Sequence, residues 1–363
     1  MNPLKQLEAA GQSPWLDYVS RSLIASGDIA VFIARDGLKG MTSNPAIFEK
    51  AIAASHEYDD ALAAFQAQGD HAITEIYEHL AIADIQGAAD ALMPVYQATK
   101  GVDGYISLEV SPYLAHDEAG TIAEARRLWR QVDRANLMVK VPATPAGVGA
   151  IRQLIADGIN VNVTLLFSCR QYEAAAEAYL RGIERRIQAG RDPQVGSVAS
   201  LFISRWDVAV KDKLVPRLRN RLGIAVAMQT YQAYCALLET PRWRKLAQAG
   251  ARAQRVLWAS TGTKDPQASD TLYVEALAAP NTIDTIPEKT LLAFAGHGRL
   301  GRSLPWDGGD APAVLADFAR EGIDPEVLAE RLQREGTEAF VESWRRLLNA
   351  IGSKATQLAQ AGP

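Results

Sequence analysis

Only two cysteines, Cys169 and Cys235, occur among the 363 residues, which excludes a disulfide framework and any CxxC metal or redox site. A reducing compartment is expected. Excess basic charge is also missing: 38 Lys and Arg stand against 42 Asp and Glu, a net charge of −4. No general field therefore exists to hold a polyanion, and a dedicated nucleic-acid binder is excluded. No run of about 18 apolar residues occurs, and Met1–Glu8 carry no basic segment followed by an apolar one, so neither a membrane span nor a leader is expected. Ser/Gly-rich linkers, charge blocks and repeats of solenoid length are absent as well. A single cytoplasmic domain over residues 1–363 is the economical expectation.

What is present is a globular composition, 48% apolar and 22% charged, with short β-branched runs separated by longer stretches of helical periodicity. Eight strands are predicted: Trp15–Tyr18, Gly40–Ser43, Tyr105–Val110, Leu137–Val141, Val161–Leu165, Ala199–Phe202, Arg255–Ala259 and Thr282–Thr285. Helices are predicted between them, including Ala119–Asp133, Pro145–Ala156, Arg170–Gln188, Ser204–Leu222, Met228–Ala249 and Ala268–Leu277. Eight βα units suit an α/β fold closed as a (β/α)₈ TIM barrel, with its site at the C-terminal ends of the strands. An open doubly wound sheet is the alternative. The barrel core is expected over residues from about 10 to 290, followed by a Gly-rich loop and terminal helices, Pro312–Leu358, packed on the barrel.

Several strands carry a polar side chain where inward packing calls for Val, Ile or Leu. Asp17, Asn44, Glu109, Lys140, Asn162, Thr164 and Ser200 lie in or just after a strand, and closure of a barrel would bring them to one mouth. Lys140 is the sharpest case. It shares a face with Met138 in an apolar strand that Pro142 ends. An inward lysine there is desolvated, its ammonium disfavoured and its pKa expected to fall, as a Schiff-base nucleophile requires. Glu109 is the natural partner to shuttle protons, with Thr164 holding a water between them. The alternatives are a lysine snorkelling from a strand end and a purely structural Lys140–Glu109 ion pair.

Gly40-Met41-Thr42-Ser43-Asn44-Pro45 and Met138-Val139-Lys140-Val141-Pro142-Ala143-Thr144-Pro145 resemble the two signatures of the transaldolases, and further matching segments run in order through residues from about 10 to 290. The resemblance implies a metal-free and cofactor-free transfer of a dihydroxyacetone unit from sedoheptulose 7-phosphate to glyceraldehyde 3-phosphate, with sugar phosphates as the partners and a monomer or homodimer as the form. By position it implies Lys140 as the Schiff-base residue, Glu109 and Thr164 as managers of its water, and Asp17 as acid and base at the C4 hydroxyl. It implies substrate contacts for Thr42, Asn44, Ser107, Asn162, Ser200, Phe202, Arg205, Ser260 and Lys264, with Arg205 on phosphate. Three positions depart from the common pattern: Gly262 stands where many members have arginine, leaving Lys264 as the nearest cation, while Leu201 and Ser204 replace a proline and a glycine. The added helical sequence between Phe48 and Lys100 resembles a long form sometimes fused to glucose-6-phosphate isomerase, although nothing here reads as that second enzyme.

Other signals are set aside. Gly296–Gly301 fits GxGxxG, yet no strand of the expected kind leads into it, so a flexible loop is expected. His71, Glu75 and His79 share a helical face and are read as an exposed polar stripe rather than metal ligands. With five histidines and no HExxH, a zinc-dependent aldolase has no visible site. Competing functions are a fructose-6-phosphate aldolase of the same superfamily, disfavoured by Glu109 and the chain length, and a sugar-phosphate-binding barrel without catalysis, which has no need of Lys140.

Overall fold

Strands form where the apolar runs occur, and all eight pair in parallel. The computed structural model describes residues 2–53, 55–213 and 215–361. The strands are β1 Ser13–Leu16, β2 Gly40–Met41, β3 Tyr105–Glu109, β4 Leu137–Pro142, β5 Val161–Leu166, β6 Ser197–Phe202, β7 Arg255–Ala259 and β8 Ile283–Ile286. They close in sequence order, with β8 paired to β1. Every strand is buried along its length except at Arg255, as a sheet wrapped on the outside by helices and filled by its own side chains requires.

Glycine decides two local packings. At Gly40 a β-carbon would run into the indole of Trp15 on the neighbouring strand, and at Gly147 it would strike the Pro142 carbonyl. The first lets Trp15 fill the barrel, and the second lets the helix Pro145–Asp157 start directly over the end of β4. Thr144 caps that helix by accepting from the Gly147 amide at 3.0 Å. At the opposite end of the barrel, Asp103 accepts from Ser13, Trp15 and Arg255, which joins β1 to β7.

Several helix boundaries differ from expectation. The predicted helix Ser204–Leu222 is a short helix Ser204–Val210, then 3₁₀ turns at Lys211–Lys213 and Pro216–Leu218; Leu214 lies outside the described residues. Pro216 cannot continue a helix, because it lacks an amide donor and clashes with the preceding turn. A new helix, Leu222–Leu238, begins where the predicted one ends. The predicted Met228–Ala249 is likewise divided by Pro241, where Thr240 caps a separate helix Pro241–Gln248. Ala268–Leu277 shrinks to Leu272–Ala276. Strand β1 starts two residues earlier than expected, leaving Asp17 just beyond its end. The segment after Pro287 opens with a helix, Glu288–His297, so Gly296 sits in a helix's last turn and Gly298 and Gly301 follow the helix end, not a strand.

The inserted segment folds as helices Pro45–Ala53, Asp59–Gln66 and Ile73–Ala98. Of the expected polar stripe, Glu75 and His79 are exposed and His71 is half-buried. The rings of His71 and His79 flank Phe65 with centroids 4.0 and 4.1 Å away. The terminal helices are Ala311–Arg320 and the 37-residue Pro325–Ala361. The latter buries Phe340, Trp344, Leu347 and Ile351, a stripe at helical spacing.

Candidate active site

Parallel register places the chemistry. Glu109 on β3 is opposite Lys140 on β4, and Lys140 is opposite Asn162 on β5, so three polar side chains form one row inside the barrel. Lys140 is 5% exposed and Glu109 7%. Their charged ends are 3.4 Å apart, and the ammonium also donates to the Ser43 carbonyl at 3.1 Å. Burial pushes the Glu109 carboxyl up to about 7, against the pull of the Lys140 ammonium and with the help of Asp17. At neutral pH Glu109 is therefore divided between acid and base forms, as proton transfer demands. Asp17 is also raised by burial, opposed by Lys140 and by the hydrogen bond from Thr42, whose hydroxyl donates to it at 2.7 Å.

A cavity of about 220 Å³ opens over this row. Asp17, Thr42, Asn44, Lys140, Thr164, Ser200, Phe202, Arg205, Ser260 and Lys264 all line it, so ten of the thirteen expected residues meet at one mouth. Glu109, Ser107 and Asn162 are not on its wall. Glu109 is reached through Lys140, while Asn162 donates to Ser107 Oγ at 3.0 Å and accepts from Ser200 Oγ at 2.7 Å. Ser107 and Asn162 thus lie beneath the cavity in a hydrogen-bonded chain that ends at Ser200. Asn44 also caps the helix Pro45–Ala53, accepting from the Ile47 amide at 3.0 Å. Among the described residues the Thr164 hydroxyl is buried without a hydrogen-bond partner and Glu109 Oε2 has only the long contact to Lys140, and a buried polar atom left in that state calls for a ligand or water.

Arg205 follows β6 and lies over the Phe202 ring, 5.3 Å from its centroid. Burial holds its pKa below the ordinary value; it is a poorly solvated cation at the rim, which favours an anion. Ser260 adopts a left-handed backbone, φ 59°, and is tied to Ser204 through their hydroxyls at 2.9 Å. Lys264 takes the neighbouring position on the rim.

Sequence reasoning missed the roof. Ala339, Phe340 and Ser343 of the terminal helix line the cavity, and the Phe340 ring centroid is 5.8 Å from the Lys140 ammonium. Gln333, about two turns before the roof, donates to the carbonyls of Ala143 and Leu165, both at 3.0 Å. It thereby ties the loop after β4 to the end of β5, at the irregularity where β5 shifts register and Leu165 turns to φ 57°. The periodic burial of that helix was visible as a pattern, but its target was not.

A parallel eight-stranded barrel with a buried amine beside a half-protonated carboxyl at its C-terminal mouth defines an enzyme of imine-forming carbonyl chemistry. Residues 14–351 match the family model described as Transaldolase/Fructose-6-phosphate aldolase. The chain is 47% identical to a transaldolase of Thiobacillus denitrificans over 97% of this chain and 100% of that one, and 46% identical to a transaldolase of Thermobifida fusca over 97% and 98%. A transaldolase of Neisseria meningitidis is 44% identical over 96% of this chain and 99% of its own. The chain belongs to the transaldolase/fructose-6-phosphate aldolase family.

Proposed function

We propose that this enzyme is a transaldolase that moves a dihydroxyacetone unit from sedoheptulose 7-phosphate to glyceraldehyde 3-phosphate, giving erythrose 4-phosphate and fructose 6-phosphate. The observation that carries the assignment is the Lys140–Glu109 pair, buried at 3.4 Å beneath a cavity whose rim holds Arg205. Lys140 passes its ammonium proton to Glu109, and the freed amine attacks the donor carbonyl to form a carbinolamine. Glu109 gives a proton to the departing hydroxyl, water leaves, and an iminium remains, with Thr164 holding that water by its otherwise unpartnered hydroxyl. Asp17 takes the proton of the C4 hydroxyl as the C3–C4 bond breaks. The bond electrons pass to the iminium, which becomes an enamine, and the phosphorylated aldehyde leaves. The enamine attacks the carbonyl of the acceptor, Asp17 returns its proton to the new alkoxide, and hydrolysis frees the product and Lys140. Asn44 and Ser200 face the dihydroxyacetone hydroxyls and Arg205 the phosphate.

Reduction with borohydride in the presence of fructose 6-phosphate tests this. Ketose-derived mass is expected on the peptide containing Leu137-Met138-Val139-Lys140, and none in Lys140→Arg, whose guanidinium stays protonated. Label on another lysine, or turnover by the arginine variant, refutes the assignment. Release of free dihydroxyacetone without transfer to an acceptor identifies an aldolase instead.

A further inference from the structure

Beyond the phosphate rim the cavity opens into a larger cleft of about 870 Å³, about four times the volume of the inner chamber. The two share Arg205, Ser260 and Lys264. Lys211 and Arg219, brought in by the broken segment after the helix Ser204–Val210, supply two more cations to the outer wall. Three carboxylates line the same cleft, and all are committed. Asp207 accepts from the Leu222 and Gly223 amides and from the Tyr273 hydroxyl. Asp265 accepts from Asn220 and from the Gln267 amide, and Glu335 pairs with Arg331 at 3.4 Å. The cations are less engaged: among the described residues Arg205, Lys211 and Lys264 form no ion pair and Arg219 donates only to the Gln267 side chain, at 3.4 Å, although the charge of Glu335 acts on Arg205 and Arg219 acts on Asp265.

We propose that this outer cleft is a second anion subsite, taking a phosphomonoester dianion on Lys211 and Arg219 while Arg205 holds another. The proposal rests on the transaldolase assignment for its substrate. The inner chamber is below the size of an ordinary small-molecule pocket, whereas the cleft is well within that range. Sugar transfer requires one phosphorylated aldehyde to leave and another to enter. A cationic vestibule lets the acceptor bind by its phosphate before the inner site is vacated, and it raises the local concentration of anions at the mouth. The same cations fit inorganic phosphate, so the chemistry is shared and the source is a question for experiment.

The test uses the full chain and Lys211→Ala/Arg219→Ala, two exposed positions outside the catalytic machinery. Lys140 is first blocked by borohydride reduction with dihydroxyacetone, and inorganic phosphate is then titrated by calorimetry. Two sites are expected in the parent and one in the double variant. A single site in the parent, or two unchanged sites in the variant, overturns the proposal. With active enzyme, the KM for glyceraldehyde 3-phosphate should rise about three- to tenfold in the variant, the scale of exposed charge contacts, while that for unphosphorylated glyceraldehyde stays fixed. That result assigns the subsite to the acceptor; loss of the second phosphate with both KM values unchanged assigns it to inorganic phosphate. Should no adduct form, the transaldolase assignment fails, but titration of untreated enzyme still counts the anion sites.

Discussion

Replacing Glu109 by glutamine separates the two roles of its carboxyl, because the fold and the reaction want opposite things from it. Burial raises the group from its ordinary 4.5 to about 7. At about 1.4 kcal/mol per pKa unit, ionising it inside the barrel costs on the order of 3 kcal/mol more than in the unfolded chain. Below about pH 4.5 the carboxyl is protonated in both states and the fold carries none of this cost. As the pH rises through 7 the cost is taken on in full. Wild-type stability should therefore fall by on the order of 3 kcal/mol across that window relative to Glu109→Gln, whose amide does not titrate. Denaturant unfolding at a series of pH values reads the difference in slope, which is insensitive to any constant loss from leaving Lys140 with a weaker partner. Activity should move the other way. Without a proton donor for the departing hydroxyl, borohydride-trapped adduct should form roughly 10² to 10⁴ times more slowly, the usual worth of general acid catalysis. Parallel stability profiles for the two proteins would show that the carboxyl is not desolvated, and an undiminished trapping rate would remove Glu109 from the reaction.

Arg205→Ala should raise KM for phosphorylated substrates by a factor corresponding to about 1.5–3 kcal/mol and leave a phosphate-free ketose little affected; Lys264→Ala should act in the same direction and less strongly. Equal effects on both substrate types would put the phosphate elsewhere. Asp17→Ala should still trap ketose on Lys140 yet slow carbon–carbon cleavage, so that adduct accumulates in single-turnover experiments; a folded variant that traps nothing contradicts that role. Asp284 on β8 is fully buried, its only side-chain partner among the described residues the Thr261 hydroxyl at 2.8 Å, and burial pushes it up to about 8. Its stabilising protonated form is lost as the pH climbs from its ordinary value through 8, so Asp284→Asn should gain on wild type steadily over that range in unfolding experiments, and a constant offset would show that the carboxyl ionises freely.

Lys140 was legible because an ammonium in the middle of an apolar strand contradicts its surroundings, and alternation along the strand then fixed its face. Glu109, Thr164 and Ser200 stood out in the same way, and closure of the barrel did the rest: register alone puts Glu109 and Lys140 side by side. Asn162 stood out equally and Ser107 came from the resemblance, and yet both lie below the wall, since period 2 specifies a face but not a depth. The residues that escaped act through distance. Phe340 and Gln333 belong to a helix whose apolar stripe announces burial without naming its partner, and Phe340 reaches a lysine two hundred positions earlier. That contact is why the terminal helix is part of the site. Its glutamine ties the loop after β4 to the end of β5 by their carbonyls, and its phenyl ring roofs the ammonium. Water is thereby kept from the enamine, which must survive unprotonated until the acceptor arrives.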